Sequence, residues 1–177
     1  MPATFSRVAD RLGGTTSQGA VVFRVGDEVV ALRLNAGKIE ITADVPADTL
    51  VQIALAAEDF EPILVRGAQE LEGEGTASDR QLAVFRALLL DAERATLVRS
   101  VEGSLAVELS AERTHRLTLI PGNRPPRATA ECTVRCALAD FWAMQRGQAN
   151  PFELMMNGKI QISGDAQIVM ALSSLFV

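Results

Sequence analysis

Hydrophobic and polar residues alternate along several stretches of the chain, and an alternation of this kind predicts half-buried β-strands. Glycine-containing pairs such as Gly26-Asp27 and Asn157-Gly158 separate these stretches and predict turns. The predicted strands are residues 21–25, 30–34, 39–42, 50–55 and 70–74, then a strand that begins at Leu97, and residues 105–109, 114–119, 132–138 and 160–163.

Apolar residues three and four positions apart predict helices between and after these strands. The strongest pattern runs over residues 78–94, behind a candidate N-cap at Ser78. Asn150 is expected to cap a short helix that a proline opens, and Asp140 and Asp165 are also expected to be helix caps. The other predicted helices are residues 3–12, 57–66 and 139–146, and the segment after Asp165.

The two halves of the chain repeat one order of predicted elements: four strands, a helix, a strand and a long helix. Residues match as well, because 51–55 parallels 134–138 and Asp59-Phe60 parallels Asp140-Phe141. Self-similarity at a spacing of about 80 to 86 residues indicates an internal duplication. The sequence therefore predicts two units, residues 1–95 and 96–177. The alternative is that two unrelated halves share a common pattern of strands and helices.

The C-terminal part of the chain carries several motifs in a definite order. They are residues 128–138, which include the alternating strand over 132–138, then Asp140-Phe141, Arg146-Gly147, Asn150-Pro151, residues 154–160, residues 162–165 and an apolar segment over 172–176. This series resembles the C-terminal half of the sterol carrier protein 2 family, and the N-terminal half looks like a diverged repeat of it. The resemblance implies an α+β fold of two sterol-carrier-like units, each a mostly antiparallel sheet packed with helices. It also implies an apolar cavity that binds sterols, fatty acids, acyl-CoA esters or phospholipids without a metal or redox cofactor.

The resemblance places the ligand between the C-terminal sheet and the last helix. That helix is apolar nearly all round, so a second surface is expected to cover it besides the sheet. The ligand-binding residues are expected to be Phe141, Trp142, Leu154, Met155, Ile168, Met170, Leu172 and Phe176. Two alternatives stay open: the methionines fill gaps in an ordinary core, or the helix contacts a second copy or a partner protein.

Composition and charge restrict the classes of partner. At 48% hydrophobic and 22% charged residues, the 177-residue chain is typical of a globular protein. A formal net charge of −5 without a basic cluster argues against nucleic acid and against an anionic membrane surface as main partner. No apolar run approaches the roughly 20 residues that span a bilayer, and the N-terminus lacks the apolar region of a signal peptide. We therefore expect a cytoplasmic protein without a transmembrane segment.

Candidate catalytic and metal-binding residues are few. Cys132 and Cys136 lie four apart on one predicted strand, roughly 13 Å from each other, which is too far for a disulfide or a shared metal. Both are expected to be reduced and buried. His115, the only histidine, falls on the inward side of its strand and is expected to be a core residue. The sequence therefore assigns no catalytic residue, no metal and no cofactor.

Three classes of function stay open from the sequence. The first is binding or transfer of an apolar small molecule, such as a sterol, a fatty acyl group or another lipid-like metabolite. The second is a non-catalytic partner subunit, which would use the C-terminal helix at an interface. The third is an enzyme that acts on an isoprenoid, polyketide or steroid substrate in an apolar pocket.

Overall fold

The structure, a computed structural model, describes residues 19–35, 38–66 and 92–173. In chain order, its strands and helices are β1 (Gly19–Val25), β2 (Glu28–Asn35), β3 (Lys38–Thr42), β4 (Thr49–Leu55), α1 (Ala57–Phe60), which continues as a π-helix (Glu61–Val65), α2 (Ala92–Ser100), β5 (Leu105–Ser110), β6 (Thr114–Pro121), β7 (Cys132–Ala137), α3 (Leu138–Gln145), α4 (Pro151–Met156), β8 (Gln161–Gly164) and α5 (Ala166–Ser173).

The first two strands form a tight hairpin. Gly26 and Asp27 are the two loop residues between the paired ends, Val25 and Glu28. Gly26 has a φ of +57°, the left-handed conformation that such turns require and that glycine adopts at little cost. The two strands that the sequence predicts on either side of this turn are therefore confirmed.

The described strands form one eight-stranded sheet in the order β3-β2-β1-β4-β6-β5-β7-β8. The pairs β1–β4 and β5–β7 are parallel, and all other neighbours are antiparallel. Helices pack on this sheet, so the predicted α+β class with a mostly antiparallel sheet is confirmed. Among the described helices, none combines the length and the apolar composition that crossing a membrane requires.

The two halves of the chain meet inside the sheet. β4 pairs with β6, from Val51 opposite Pro121 to Leu55 opposite Leu117. The strands β2–β1–β4 and β6–β5–β7 have the same arrangement, each with one antiparallel and one parallel pair. This likeness is compatible with the predicted duplication. The duplication and its two units, residues 1–95 and 96–177, stay predictions. The position between residues 95 and 96, where the units were predicted to meet, falls inside α2.

Helix α2 occupies the segment where the sequence predicted a strand to begin at Leu97, and that prediction is wrong. The helix is rich in good helix formers, and its buried residues Ala95 and Val98 are three apart, as on one helix face. Leu97 lies on the outer side and is 54% exposed. The end predicted for the helix over 78–94 is also too early, because α2 extends to Ser100.

Other predicted elements lie outside the described residues. They are the helix over 3–12, the strand over 70–74 and the part of the helix over 78–94 that precedes Ala92. The predicted helix over 57–66 is confirmed as α1 and the π-helix that follows it.

One face of the sheet carries the hydrophobic core. Residues directly opposite each other on neighbouring strands, such as Val21 and Val51 or Leu109 and Cys136, are buried on this face. Helices cover them with apolar side chains of their own, which are Ile63, Ala95, Val98, Leu154, Ile168 and Leu172. Burial of a large aliphatic side chain contributes about 1.5–3 kcal/mol. This packing is therefore the main force that holds the helices on the sheet.

Candidate functional site

The candidate site is built on the two parallel strands of the C-terminal half. β5 and β7 pair in register, with Leu105 opposite Cys132 and Leu109 opposite Cys136. All four residues are buried and belong to one apolar cluster. Because side chains alternate between the two faces of a strand, every second residue extends this cluster beneath the helices. We call the buried side chains between β5, β7 and helices α3–α5 the apolar layer.

Helix α5 lies across the apolar layer and buries one of its sides there. Asp165 caps the helix as predicted, because its Oδ1 accepts a hydrogen bond from the Gln167 N–H at 2.9 Å. Ile168 and Leu172, four residues apart, are both buried. A Cβ added to Gly103, in the turn before β5, would lie only 2.7 Å from Ile168 Cδ1. The helix therefore packs closely against the start of the C-terminal sheet.

Helix α3 brings two aromatic residues to the same region. Phe141 and Trp142 are half-buried, and their rings meet edge to face with centroids 4.9 Å apart. Phe141 packs against the core. Trp142 is the only tryptophan of the chain, so its fluorescence reports on this place alone.

Asp140 is not the cap of α3, and that prediction is wrong. The capping position is held by Ala137, which leaves Asp140 in the first turn of the helix. A carboxylate there still interacts favourably with the helix N-terminus. It also has a partner, because Lys159 Nζ lies 3.5 Å from its Oδ1.

Helix α4 begins as predicted. Asn150 Oδ1 accepts a hydrogen bond from the Phe152 N–H at 2.8 Å, and a proline holds the first helical position. Leu154 is the buried residue of the helix. Its carbonyl oxygen accepts hydrogen bonds from the N–H groups of Lys159, at 2.8 Å, and Ile160, at 3.3 Å. The helix is therefore fixed at both of its ends.

The eight residues predicted to bind ligand have different surroundings. Leu154, Ile168 and Leu172 are buried. Phe141 and Trp142 are half-buried, and Met155 and Met170 are exposed. Phe176 lies outside the described residues. Met170 is 74% exposed, because the helical period turns it away from the buried side of α5. The structure therefore brings four of these residues to the apolar layer, places Trp142 beside the ring of Phe141, and leaves two methionines at the surface.

The protein-family model of the SCP-2 sterol transfer family matches residues 84–177, which is more than half of the chain. The chain belongs to this family. The resemblance that the C-terminal motifs indicate is thereby confirmed. Membership of the SCP-2 family supports binding or transfer of a lipid or sterol in general.

Solved sterol carrier proteins are similar to this member of the SCP-2 family at low identity. The crystal structure of sterol carrier protein 2-like 2 from Aedes aegypti is 18% identical over 66% of this chain and 94% of that chain, with a TM-score of 0.38. The NMR structure of palmitated sterol carrier protein 2-like 2 from Aedes aegypti is 18% identical over 66% and 92%, with a TM-score of 0.40. Sterol carrier protein 2 from Yarrowia lipolytica, in its apo form, is 18% identical over 45% and 76%, with a TM-score of 0.36. Among curated proteins, none matches the chain.

A buried polar cluster joins the N-terminal half of the chain to the SCP-2 match. Asp59 Oδ1, in α1, lies 2.7 Å from Arg113 Nη2 and 2.9 Å from His115 Nδ1. Its Oδ2 accepts a hydrogen bond from the Arg116 N–H at 3.1 Å. Burial by itself would raise the pKa of Asp59, but the hydrogen bonds from Arg116, His115 and Arg113 outweigh it and lower that pKa. Asp59 therefore carries its charge inside the protein with every oxygen satisfied.

His115 is the buried core residue that the sequence predicts. Its partner was not predicted, because Asp59 is 56 residues away and no local pattern joins the two. In the sequence, the pair Asp59-Phe60 stands out only for its likeness to Asp140-Phe141. The contact depends on β4 and β6 being neighbours in the sheet, which brings α1 to the start of β6.

The cysteines of the SCP-2 match are free and buried, as predicted. Burial raises the pKa of Cys132, and burial followed by the charge of Asp140 raises the pKa of Cys136 to about 11. Both groups are therefore thiols at neutral pH, and a thiol is a weak nucleophile. Leu109 separates Cys136 from His115 in the sheet, so these two residues are about 9–10 Å apart. Within the part of the chain that the structure describes, no group of side chains could hold a metal ion.

A second carboxylate fixes the turn before β7. Glu131 Oε2 accepts hydrogen bonds from the N–H of Ser104, at 2.8 Å, and from its hydroxyl, at 3.0 Å. Its Oε1 pairs with Arg127. Partial burial by itself would raise the pKa of Glu131, but the hydrogen bonds from Arg127 and Ser104 outweigh it and lower the pKa to about 2. This contact ties the parallel strands β5 and β7 together where both begin.

Proposed function

We propose that the protein binds or transfers an apolar small molecule, such as a sterol, a fatty acyl group or another lipid-like metabolite, between its C-terminal sheet and α5. The observation that carries the proposal is the SCP-2 family match over residues 84–177. That range contains β5–β8 and α3–α5, which surround the apolar layer. The proposed lining residues are Phe141, Trp142, Leu154, Met155, Ile168, Met170, Leu172 and Phe176.

The surroundings of these residues support a site that adapts to its ligand. The rings of Phe141 and Trp142 are half-buried, so part of each ring is open to contact. Met155 and Met170 lie at the surface, and flexible thioether side chains can follow the shape of varied apolar ligands. A ligand that covers 100 Å² of apolar protein surface would contribute about 2–3 kcal/mol from that surface alone. Binding of an apolar ligand at these residues requires no charged group on the ligand.

The described cysteine and histidine side chains support binding more than catalysis. His115 is held by Asp59, and the two cysteines are protonated thiols at neutral pH. The proposal therefore assigns no catalytic residue, no metal and no cofactor. It includes a cytoplasmic location, with which buried free thiols are compatible because reducing compartments preserve them.

We also propose that the N-terminal half is a diverged copy of the sterol-carrier-like unit. The shared arrangement of β2–β1–β4 and β6–β5–β7, each followed by a helix, supports this proposal. Superposing the two sets of strands should place Val51 over Val134 and Phe60 over Phe141. Unrelated positions for these pairs would remove the support.

Quenching of Trp142 fluorescence tests the proposed ligand site. A brominated long-chain fatty acid should quench Trp142 in a saturable way, because bromine quenches only at close range and the chain has no other tryptophan. A brominated acid with a four-carbon chain should not quench Trp142, since it offers too little apolar surface for binding. Met170→Asp should weaken the quenching without lowering the melting temperature, because this residue is exposed.

Organic extraction of the purified protein provides the independent control. A sterol, fatty acid or phospholipid should be recovered in a fixed ratio to protein. Absence of both quenching and extracted lipid would contradict the proposal. A stable large complex in light scattering would then favour a partner subunit as the function.

A further inference from the structure

Helix α4 presents an apolar face to solvent. Phe152, Met155 and Met156 are 65%, 45% and 73% exposed. Their spacing of three and four residues puts them on one side of the helix, opposite the buried Leu154. We call these three exposed residues the outer face of α4.

The outer face is held in place from beneath. Leu154 is buried in the core, and Asn150 caps the start of the helix. After the helix, the N–H groups of Lys159 and Ile160 return to the carbonyl oxygen of Leu154. Because these contacts fix the helix at both ends, Phe152 and Met156 stay directed away from the core. Met155, the least exposed of the three, lies at the edge of the outer face nearer to Leu154.

The size of the outer face indicates what covers it. At about 200 Å² for a fully exposed side chain of this size, the three residues expose about 370 Å². A stable protein–protein interface buries about 800 Å² on each partner, so this face is too small to form one by itself. Three large apolar side chains on one short, fixed helix are instead suited to shallow insertion into a lipid surface.

The charges around the outer face are nearly balanced. Between residues 146 and 159 the chain has two basic residues, Arg146 and Lys159, and one acidic residue, Glu153. The whole chain has a net charge of −5. Attraction to anionic headgroups therefore cannot drive association, and the relevant lipid surface is a zwitterionic one.

We propose that the outer face of α4 docks the protein on a lipid bilayer, with Phe152, Met155 and Met156 inserted among the acyl chains just below the headgroups. This rests on the proposed function, since a protein that binds lipid-like molecules has to meet the bilayer that contains them. The same helix contributes Leu154 to the proposed ligand site. Docking through α4 therefore brings that site next to the bilayer surface.

Flotation of the full chain with vesicles of phosphatidylcholine alone tests the docking. The wild-type protein should float with the vesicles. The double variant Phe152→Ser, Met156→Ser should lower the vesicle-bound fraction by about tenfold or more, because it removes the larger part of the inserted apolar surface. Its melting temperature should not change, since both residues are exposed and neither is a proposed lining residue.

Ile41→Ser is the matched control for this experiment. Ile41 is 61% exposed, like Phe152, but lies on β3, at the opposite edge of the sheet from β8. The control should float as the wild type does, and 0.5 M salt should not release the wild type from the vesicles. Equal flotation of the wild type and the double variant would overturn the proposal, as would complete release by salt. A wild-type dimer that the double variant converts to a monomer would also overturn it, because a second copy would then cover this face.

Uptake of a fluorescent fatty acid from solution without vesicles separates the docking from the proposed function. A protein that takes up the fatty acid but does not float retains the ligand site and refutes the docking. A protein that floats but takes up no fatty acid supports the docking and refutes the ligand site.

Discussion

Asp59→Ala removes the carboxylate at the centre of the buried polar cluster. The ring of His115 and the backbone N–H of Arg116 lose their acceptor in a buried place, at about 1–3 kcal/mol each. Arg113 is 45% exposed and regains water, so its loss adds less than about 1 kcal/mol. The variant should therefore be about 3–5 kcal/mol less stable than the wild type, as is usual when one partner of a buried ionic contact is removed.

Urea denaturation, followed by Trp142 fluorescence and circular dichroism, measures this loss. Asp59→Asn keeps the shape and one carbonyl acceptor, so it should cost about half as much. Glu58→Ala is the control, because the neighbouring carboxylate is exposed and its removal should change stability by less than about 0.5 kcal/mol. His115→Gln should also lower stability while leaving fatty acid uptake unchanged.

The dependence of stability on acidic pH provides a second measurement of the contacts that Asp59 makes. The pKa of Asp59 lies below its ordinary value of 3.8. The carboxylate therefore stabilises the fold at pH values above that value, and this contribution is lost as the pH falls through the lower folded-state pKa. The difference between the wild type and Asp59→Asn should therefore shrink as the pH falls below about 4.

Two results would refute the reasoning about Asp59. One is a loss of less than about 1 kcal/mol in Asp59→Ala at neutral pH, because water would then be replacing the carboxylate. The other is an Asp59→Asn difference that grows as the pH falls below about 4, because the sign of the pKa shift of Asp59 would then be reversed. Loss of fatty acid uptake in His115→Gln, with an unchanged melting temperature, would instead place His115 in the ligand site.

Three further measurements address other parts of the structure. Glu131→Gln should lower the free energy of unfolding, measured by urea denaturation, by about 1 kcal/mol at pH 7, because solvent weakens the contact of Glu131 with Ser104. The difference from the wild type should vanish as the pH falls from 4.5 towards the pKa of about 2. Gly164→Ala should lower stability by about 3 kcal/mol or more in thermal denaturation, because φ is +93° and the new Cβ would overlap the carbonyl oxygen of Glu131. Cys132 and Cys136 should react slowly with a thiol reagent at pH 8 until denaturant is added; rapid labelling of the native protein would show that β7 faces solvent.

Local rules account for the elements that the sequence predicted correctly. Alternation identified the strands on either side of Gly26, and Asn150 followed by a proline identified the start of α4, because both signals come from neighbouring residues. The strand that the sequence predicts from Leu97 is instead part of a helix. That helix is recognisable from Ala95 and Val98, which pack on the core three residues apart.

The arrangement of the candidate site depends on distances that no local pattern contains. Where almost every residue of α5 is apolar, the sequence does not distinguish the buried Leu172 from the exposed Met170. The contact of Asp59 with His115 spans 56 residues and exists only because β4 and β6 are neighbours. The family motifs located the apolar layer, whereas the packing of the helices determined which residues of it are buried.

The pairing of β4 with β6 has a consequence for any fragment of this protein. β6 lies in the middle of the sheet, and β4 covers one side of its backbone from Leu117 to Pro121. A fragment cut at the limits of the family match, residues 84–177, would leave those N–H and carbonyl groups without partners along a strand that also carries Leu119 and Ile120. An exposed apolar strand of this kind is a template for pairing with another chain. By pairing with β6, the N-terminal half thus removes an edge at which the C-terminal half would otherwise be prone to aggregate.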